Sequence, residues 1–207
     1  RILLTGSSGG YKTTLTFRII IDLVSFALKN PDKTDVLIIY NVIEIPITEM
    51  YIKFIQYVFY KSLNKIYSRD RILNRNHVNK DEELERDFLL ISKYIDAFNT
   101  KIRFVRHFTP SEFGNYCIKI LDDLHHIKYE GGKKIIGKRK NPKLKVLIVC
   151  DTTDSYSADE TLKLNKQESV KYWHKYYTNK LLGNTYGCIM WNVQQQDVAS
   201  QTALFYK

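Results

Sequence analysis

Residues 6–14 read Gly-Ser-Ser-Gly-Gly-Tyr-Lys-Thr-Thr, and they stand between a short apolar run at 2–5 and an amphipathic one at 12–29. Few backbone arrangements accommodate that junction. Small residues let successive backbone N–H groups curl around an anion, and a helix that starts there turns its positive end toward it. The spacing is close to G-x-x-x-x-G-K-[ST], in which the lysine reaches the β- and γ-phosphates of a nucleotide and the hydroxyl holds Mg²⁺. Gly6, Lys12 and Thr13 fall on the required positions. Tyr11 stands where the second glycine is called for, and Gly9 and Gly10 supply backbone freedom one or two residues early. Gly6, Ser7, Ser8, Gly9, Gly10, Tyr11, Lys12, Thr13 and Thr14 are therefore the expected nucleotide cradle. The competing reading is a glycine-rich turn that caps a helix.

Downstream the chain alternates. The run over 36–42 is apolar along its length rather than alternating, as a strand buried on both faces must be; 144–150 and 187–193 are apolar runs of the same length, and 102–105 is a shorter one. Helical spacing covers 12–29, 48 to about 67, 81–98 and 165–182. Thr109-Pro110-Ser111-Glu112 forms a capping box with proline at the first helical position, opening a helix expected to run to about residue 127. The pattern predicts an α/β fold: one domain over 1–207, with a mostly parallel sheet of about five or more strands and helices on both faces. Ligands in such sheets sit at the carboxyl ends of the strands.

Those ends carry polar residues. The fourth strand ends in Asp151, placed to hold a magnesium ion through its water shell, with Asp154 as a solvated spare. Near the end of the second strand, Glu44 is placed to polarise a water opposite a γ-phosphate, or else is a surface residue before Pro46. Gln194, at the end of the fifth, is either a γ-phosphate contact or part of a polar turn.

Charge is concentrated. The chain carries +10, and residues 128–145 hold eight Lys or Arg against one Glu. Two glycines and a proline mark this basic insertion as loop or hairpin, either a phosphate-contacting element or a solvated one. Cys117, Cys150 and Cys188 are odd in number and far apart, which argues against a disulfide framework or zinc knuckle and fits a reducing cytosol. His125 and His126 are adjacent and make a poor metal pair. No apolar stretch reaches the roughly 18 residues of a membrane span, so an integral membrane protein is not expected. Arg1 already stands inside an apolar run, and a preceding domain is expected to be missing.

The order of these elements resembles the RecA-like ATPase core, and most nearly the ATPase domain of DnaB-type replicative helicases. The likeness rests on Lys12-Thr13-Thr14-Leu15, Glu44-Ile45-Pro46, the Walker B-like run ending in Asp151, Asn165-Lys166-Gln167-Glu168 and Val193-Gln194-Gln195-Gln196-Asp197, and it spans residues 1 to about 200. No motif matches in full. Tyr11 replaces a glycine, Asp197 stands where the family often has arginine, and Thr152-Thr153-Asp154 lacks the family's Tyr-Leu-Gln pattern. The resemblance implies ATP and Mg²⁺ as ligands, with Lys12 on the β/γ-phosphates, Thr13 and Asp151 on the metal, Glu44 activating water and Gln194 sensing the γ-phosphate. It also implies single-stranded DNA as partner, a ring of six identical chains, a primase or loader as a further partner, and a bacterial or phage-infected cytoplasm. The family's DNA-binding loops would correspond to 152–162 and 197–207. The first of these is acidic, with Asp154, Asp159 and Glu160. Arg103 and Arg106 are basic candidates with no assigned role, and the family's arginine finger is expected beyond Lys207. The expected activity is that of an ATP-dependent DNA helicase motor in replication. The alternatives are a RecA-like recombinase or recombination mediator, and a degenerate nucleotide-binding assembly protein.

Overall fold

The computed structural model describes residues 2–6, 12–74 and 81–195. Five strands, β1 (Ile2–Gly6), β2 (Asp35–Val42), β3 (Ile102–Val105), β6 (Leu144–Asp151) and β7 (Ile189–Gln195), form one sheet in the order β1-β7-β6-β2-β3, every pair parallel. Between them run α1 (Lys12–Lys29), α2 (Ile47–Leu63), the single short turn-like α3 (Arg69–Leu73), α4 (Glu82–Lys101), α5 (Pro110–Leu124) and α6 (Lys166–Tyr172). A separate antiparallel hairpin, β4 (His125–Glu130) and β5 (Lys133–Arg139), lies between α5 and β6.

The continuous apolar strands are explained by burial on both sides. From β2, Ile38, Tyr40 and Val42 join Phe17, Ile20 and Val24 of α1, Phe54 and Val58 of α2, and Leu84 and Ile91 of α4. Leu37 and Ile39 of the same strand join Phe113, Cys117 and Leu121 of α5, together with Trp173 and Tyr177, in a second cluster. Each fully buried large side chain of this kind contributes about 1.5–3 kcal/mol. Gly114 lets α5 approach its neighbour: a β-carbon there would lie 2.0 Å from the Tyr177 ring.

This arrangement positions the candidate functional end of the sheet. The chain leaves β1 and β2 toward the face covered by α1, α2 and α4, and leaves β3 and β6 toward the other. β2 and β6 are neighbours, so their outgoing connections part to opposite faces and open a crevice at their carboxyl ends.

Several boundaries differ from expectation. The helix expected over 48–67 stops at Leu63, because Asn64 takes a left-handed conformation (φ 55°) and returns its N–H to the Tyr60 carbonyl. The helix expected to reach residue 127 ends at Leu124, because the His-His-Ile-Lys-Tyr-Glu segment pairs with β5 instead. The helix expected over 165–182 is α-helical only to Tyr172 and continues in wider π-helical turns over Trp173–Thr185, where Tyr172 stacks on Tyr176, Trp173 lies tilted against Tyr177 and Tyr176 meets Tyr177 edge-on. The capping box at Thr109 is present, with Thr109 Oγ1 accepting from the Glu112 N–H at 3.3 Å and Glu112 Oε2 accepting from the Thr109 N–H at 3.2 Å.

Asp159 is the second anchor of that helix start. It is fully buried and accepts from the Ser111 N–H at 2.8 Å, the Ser111 hydroxyl at 2.9 Å and the Leu162 N–H at 3.2 Å. One of the three acids that counted against phosphate contacts in 152–162 is thus turned inward and ties this segment to α5, while Glu160 stays exposed. Asp159→Ala should cost about 2–4 kcal/mol, since it orphans buried donors at a helix N-terminus. Urea unfolding of the variant measures this directly, and a loss below about 1 kcal/mol would contradict the anchoring role.

Candidate functional site

Asp151 ends β6 at the crevice and is 7% exposed. Its Oδ2 accepts two hydrogen bonds, from the Thr13 hydroxyl at 3.1 Å and from the Tyr40 hydroxyl at 2.7 Å. The sheet order brings these groups together. Thr13 lies in the first turn of α1, which packs over β2 and β7, and Tyr40 lies on β2, the strand beside β6. Thr16, one turn further along α1, donates to the Lys12 carbonyl at 2.9 Å and accepts from the Trp191 indole at 3.2 Å, fixing the start of the helix against β7.

Burial holds the Asp151 carboxyl above the usual carboxylate range, and the hydrogen bonds from Tyr40 and Thr13 pull it partly back. The nearby Glu44 charge raises it further, while that of Lys12 lowers it. Tyr40 is itself pushed well up by burial and by Asp151. Lys12 and Glu44 therefore act on the same carboxylate with opposite sign.

Glu44 is exposed, just past the end of β2. Its Oε1 accepts from the Thr152 hydroxyl at 2.5 Å and from the Ser155 hydroxyl at 2.9 Å. Both donors come from the residues that follow Asp151, and Thr153 Oγ1 pins the same turn to the Val193 carbonyl at 3.3 Å. Among the described residues nothing donates to the other carboxylate oxygen, Oε2. Arg106, unassigned by the sequence, donates weakly to the Ile43 carbonyl at 3.3 and 3.4 Å and so supports the turn that carries Glu44.

Of the expected site residues, Lys12, Thr13, Asp151 and Glu44 converge. Thr14 is exposed at the start of α1 and lines a hollow of about 490 Å³ with Phe17, Lys53, Tyr57 and Tyr60. Gly6 ends β1 beside Gln195. Ser7, Ser8, Gly9, Gly10 and Tyr11 lie outside the described residues, as does the segment 197–207. Gln194 reaches the same rim of the sheet, paired with Thr5, but its side chain opens on the α6 face. There it lines a cavity of about 920 Å³ with Asp154, Lys171, His174 and Asn179, so it does not join the Thr13–Asp151–Tyr40 cluster. Asp154, expected to be solvated, is half-buried.

Tyr40, Thr152 and Ser155 escaped the sequence reading. Tyr40 counts as one apolar position in a buried run. The signal it offers is that a buried phenol needs a polar partner, and the nearest strand end is acidic. Thr152 and Ser155 have no such signal, because their partner lies 108 and 111 residues away in the chain.

The donor set suits a hard divalent cation. Thr13 and Asp151 offer oxygen only, and a magnesium ion takes one or two protein oxygens and completes its shell with water and phosphate. Among the described residues no group of three or more His, Cys, Asp or Glu is placed to hold a metal alone. The three cysteines are buried and unpaired, and burial pushes the Cys188 thiol up to about 12. No helix among the described residues is long and apolar enough to cross a membrane.

Tyr40→Phe should destabilise the fold by about 1.5–3 kcal/mol at pH 8, the usual worth of a hydrogen bond to a charged group. The sign with pH follows from the raised Asp151 carboxyl. Its raised value favours the fold below the ordinary carboxylate range, and that advantage is lost as pH rises through the folded-state value. Removing the phenol raises that value further, so the variant should lose more relative to wild type at pH 8 than at pH 4. Denaturant midpoints at the two pH values test this, and an equal loss at both would contradict it.

No protein-family model matches the chain, and no curated protein sequence matches it. The fold is α/β, with a five-stranded parallel sheet flanked by helices and compatible with a Rossmann-like or RecA-like arrangement.

Proposed function

We propose that this chain is a P-loop ATPase of the RecA-like kind, the motor of a DNA helicase that hydrolyses ATP to move along single-stranded DNA during replication. The observation that carries the reading is the meeting of Thr13, at the start of the helix after the Gly6–Thr14 segment, with Asp151 at the end of a central strand, 3.1 Å apart across 138 residues. A glycine-rich turn that merely caps a helix has no need of that carboxylate. Thr13 and Asp151 would hold Mg²⁺, which supplies charge neutralisation to the phosphates when bound.

In this reading Lys12 neutralises the β- and γ-phosphates. Thr152 and Ser155 fix Glu44 through Oε1 and leave Oε2 to orient the attacking water. The water attacks the γ-phosphorus, its proton passes toward Glu44, and the bond to the β,γ-bridging oxygen breaks with its electron pair leaving on ADP. Tyr40 acts through Asp151, keeping the buried carboxyl oriented and favouring its ionised form. The expected assembly is a homohexamer in the cytoplasm, with a primase or loader as a further partner.

The test is steady-state ATP hydrolysis with and without single-stranded DNA. The proposal expects turnover that needs Mg²⁺ and rises several-fold with DNA. Turnover indifferent to DNA would reject the motor and leave an ATPase of another kind. ATP binding without turnover would favour a nucleotide-binding assembly protein.

A further inference from the structure

The basic stretch over 128–145 is a built element. β4 and β5 pair with Ile127 opposite Ile136, Lys128 opposite Ile135, Tyr129 opposite Lys134 and Glu130 opposite Lys133. The register shifts between His125 and Ile127, and Gly137 sits there because a β-carbon would lie 2.8 Å from the His126 carbonyl oxygen. Three of the eight cations fasten the hairpin to the body. Lys134 pairs with Asp122 and donates to the Tyr186 hydroxyl at 3.1 Å. Arg139 donates to the Leu144 carbonyl at 2.6 Å and the Tyr186 carbonyl at 2.9 Å. Lys140 reaches the Asp123 carbonyl at 2.9 Å.

Five lysines remain: Lys128, Lys133, Lys138, Lys143 and Lys145. All are exposed, and none has a carboxylate partner among the described residues. An ordinary solvated surface intersperses the two signs, and here Glu130 is the single acid within the stretch. Uncompensated positive charge on a fixed scaffold favours a polyanion, whose condensed counterions are released to bulk on binding. On the same hairpin Tyr129, paired with Lys134, is 72% exposed, and Ile135, paired with Lys128, is 42% exposed.

The anchor points locate the hairpin. Leu144 begins β6 and Tyr186 lies shortly before β7, so it stands at the amino ends of the strands, about 25 Å (one strand length) from Asp151. We propose that the β4–β5 hairpin is a contact for single-stranded nucleic acid, separate from the crevice at the other end of the sheet. The lysines meet phosphates and the Tyr129 ring offers a stacking face for a base. An anionic lipid surface would use the charge alone, whereas a single strand uses both the charge and the exposed ring. This inference stands on the hairpin alone and needs no nucleotide bound in the crevice.

The experiment measures binding of a fluorescein-labelled oligothymidylate to the whole chain without nucleotide, across a salt series. Wild type should bind with a log–log salt slope of up to about −3.5, about 0.7 for each of five phosphate contacts. Replacing Lys128, Lys133 and Lys138 with alanine should weaken binding about tenfold or more at low salt and flatten the slope by about 2. Tyr129→Ala should weaken single-strand binding about fivefold or more with the slope unchanged. An unchanged affinity and slope in the triple variant, with thermal unfolding as in wild type, would overturn the proposal. So would tighter binding to a duplex of equal length, or binding to phosphatidylserine vesicles with none to the oligonucleotide. Because no ATP is present, a failure of the ATPase reading leaves this result intact, and a failure here leaves that reading intact.

Discussion

Lys12→Ala is expected to abolish ATP binding at micromolar nucleotide, and turnover with it, while leaving the fold in place. Lys12 begins α1 and is half-buried rather than part of either apolar cluster. What fastens the start of the helix to the sheet is the hydroxyl of Thr16, its bond to the Trp191 indole and its bond to the Lys12 backbone carbonyl, which alanine retains. The side chain bears on Asp151 through charge, lowering its affinity for a proton. Without it Asp151 becomes easier to protonate, and the triphosphate loses a cation at the point where its own charge is densest. Equilibrium binding of a fluorescent ATP analogue, beside a thermal unfolding curve, separates the two effects. Unaltered binding would show that residues 6–14 form a capping turn only.

Glu44→Gln should retain ATP and slow its hydrolysis by about 10²-fold or more, the usual contribution of a positioned general base. Glutamine keeps an oxygen to accept from Thr152 and Ser155, so the turn after β6 should stay where it is. It cannot take a proton from water. Glu49 is the control. It lies on α2, where Arg69 grips it through two nitrogens and holds its carboxyl below the usual range. Glu49→Gln should therefore leave turnover within about twofold of wild type. Single-turnover rates decide the matter, and a large defect in the Glu49 variant with none in the Glu44 variant would contradict the assignment.

The fold was legible where one physical rule acted alone. The two-sided apolar runs of β2 and β6 predict a buried parallel sheet, and the Thr109-Pro110-Ser111-Glu112 signal marks the start of α5 because the cap is a local interaction. Local signals failed where tertiary partners competed. Nothing near residue 125 tells the helix to stop, since the reason is β5, and the wide turns after Tyr172 follow from packed rings rather than from propensity. The same division holds at the candidate site. Thr13 and Asp151 could be named because spacing and strand position carry the chemistry. Tyr40, Thr152 and Ser155 became visible only once the crevice between β2 and β6 brought distant segments together. Gln194 could be assigned to the end of a strand but not to a face, and β7 turns its side chain toward α6.

The central claim is that Lys12, Thr13 and Asp151 form a site for a magnesium-bound nucleotide. Calorimetric titration of the whole chain with ATP, in the presence of Mg²⁺ and again in excess chelator, tests it most directly. One site per chain is expected, with ADP competing and the affinity falling at least tenfold when Mg²⁺ is removed. No heat of binding in Mg²⁺, or binding of the same strength with and without the metal, would contradict it.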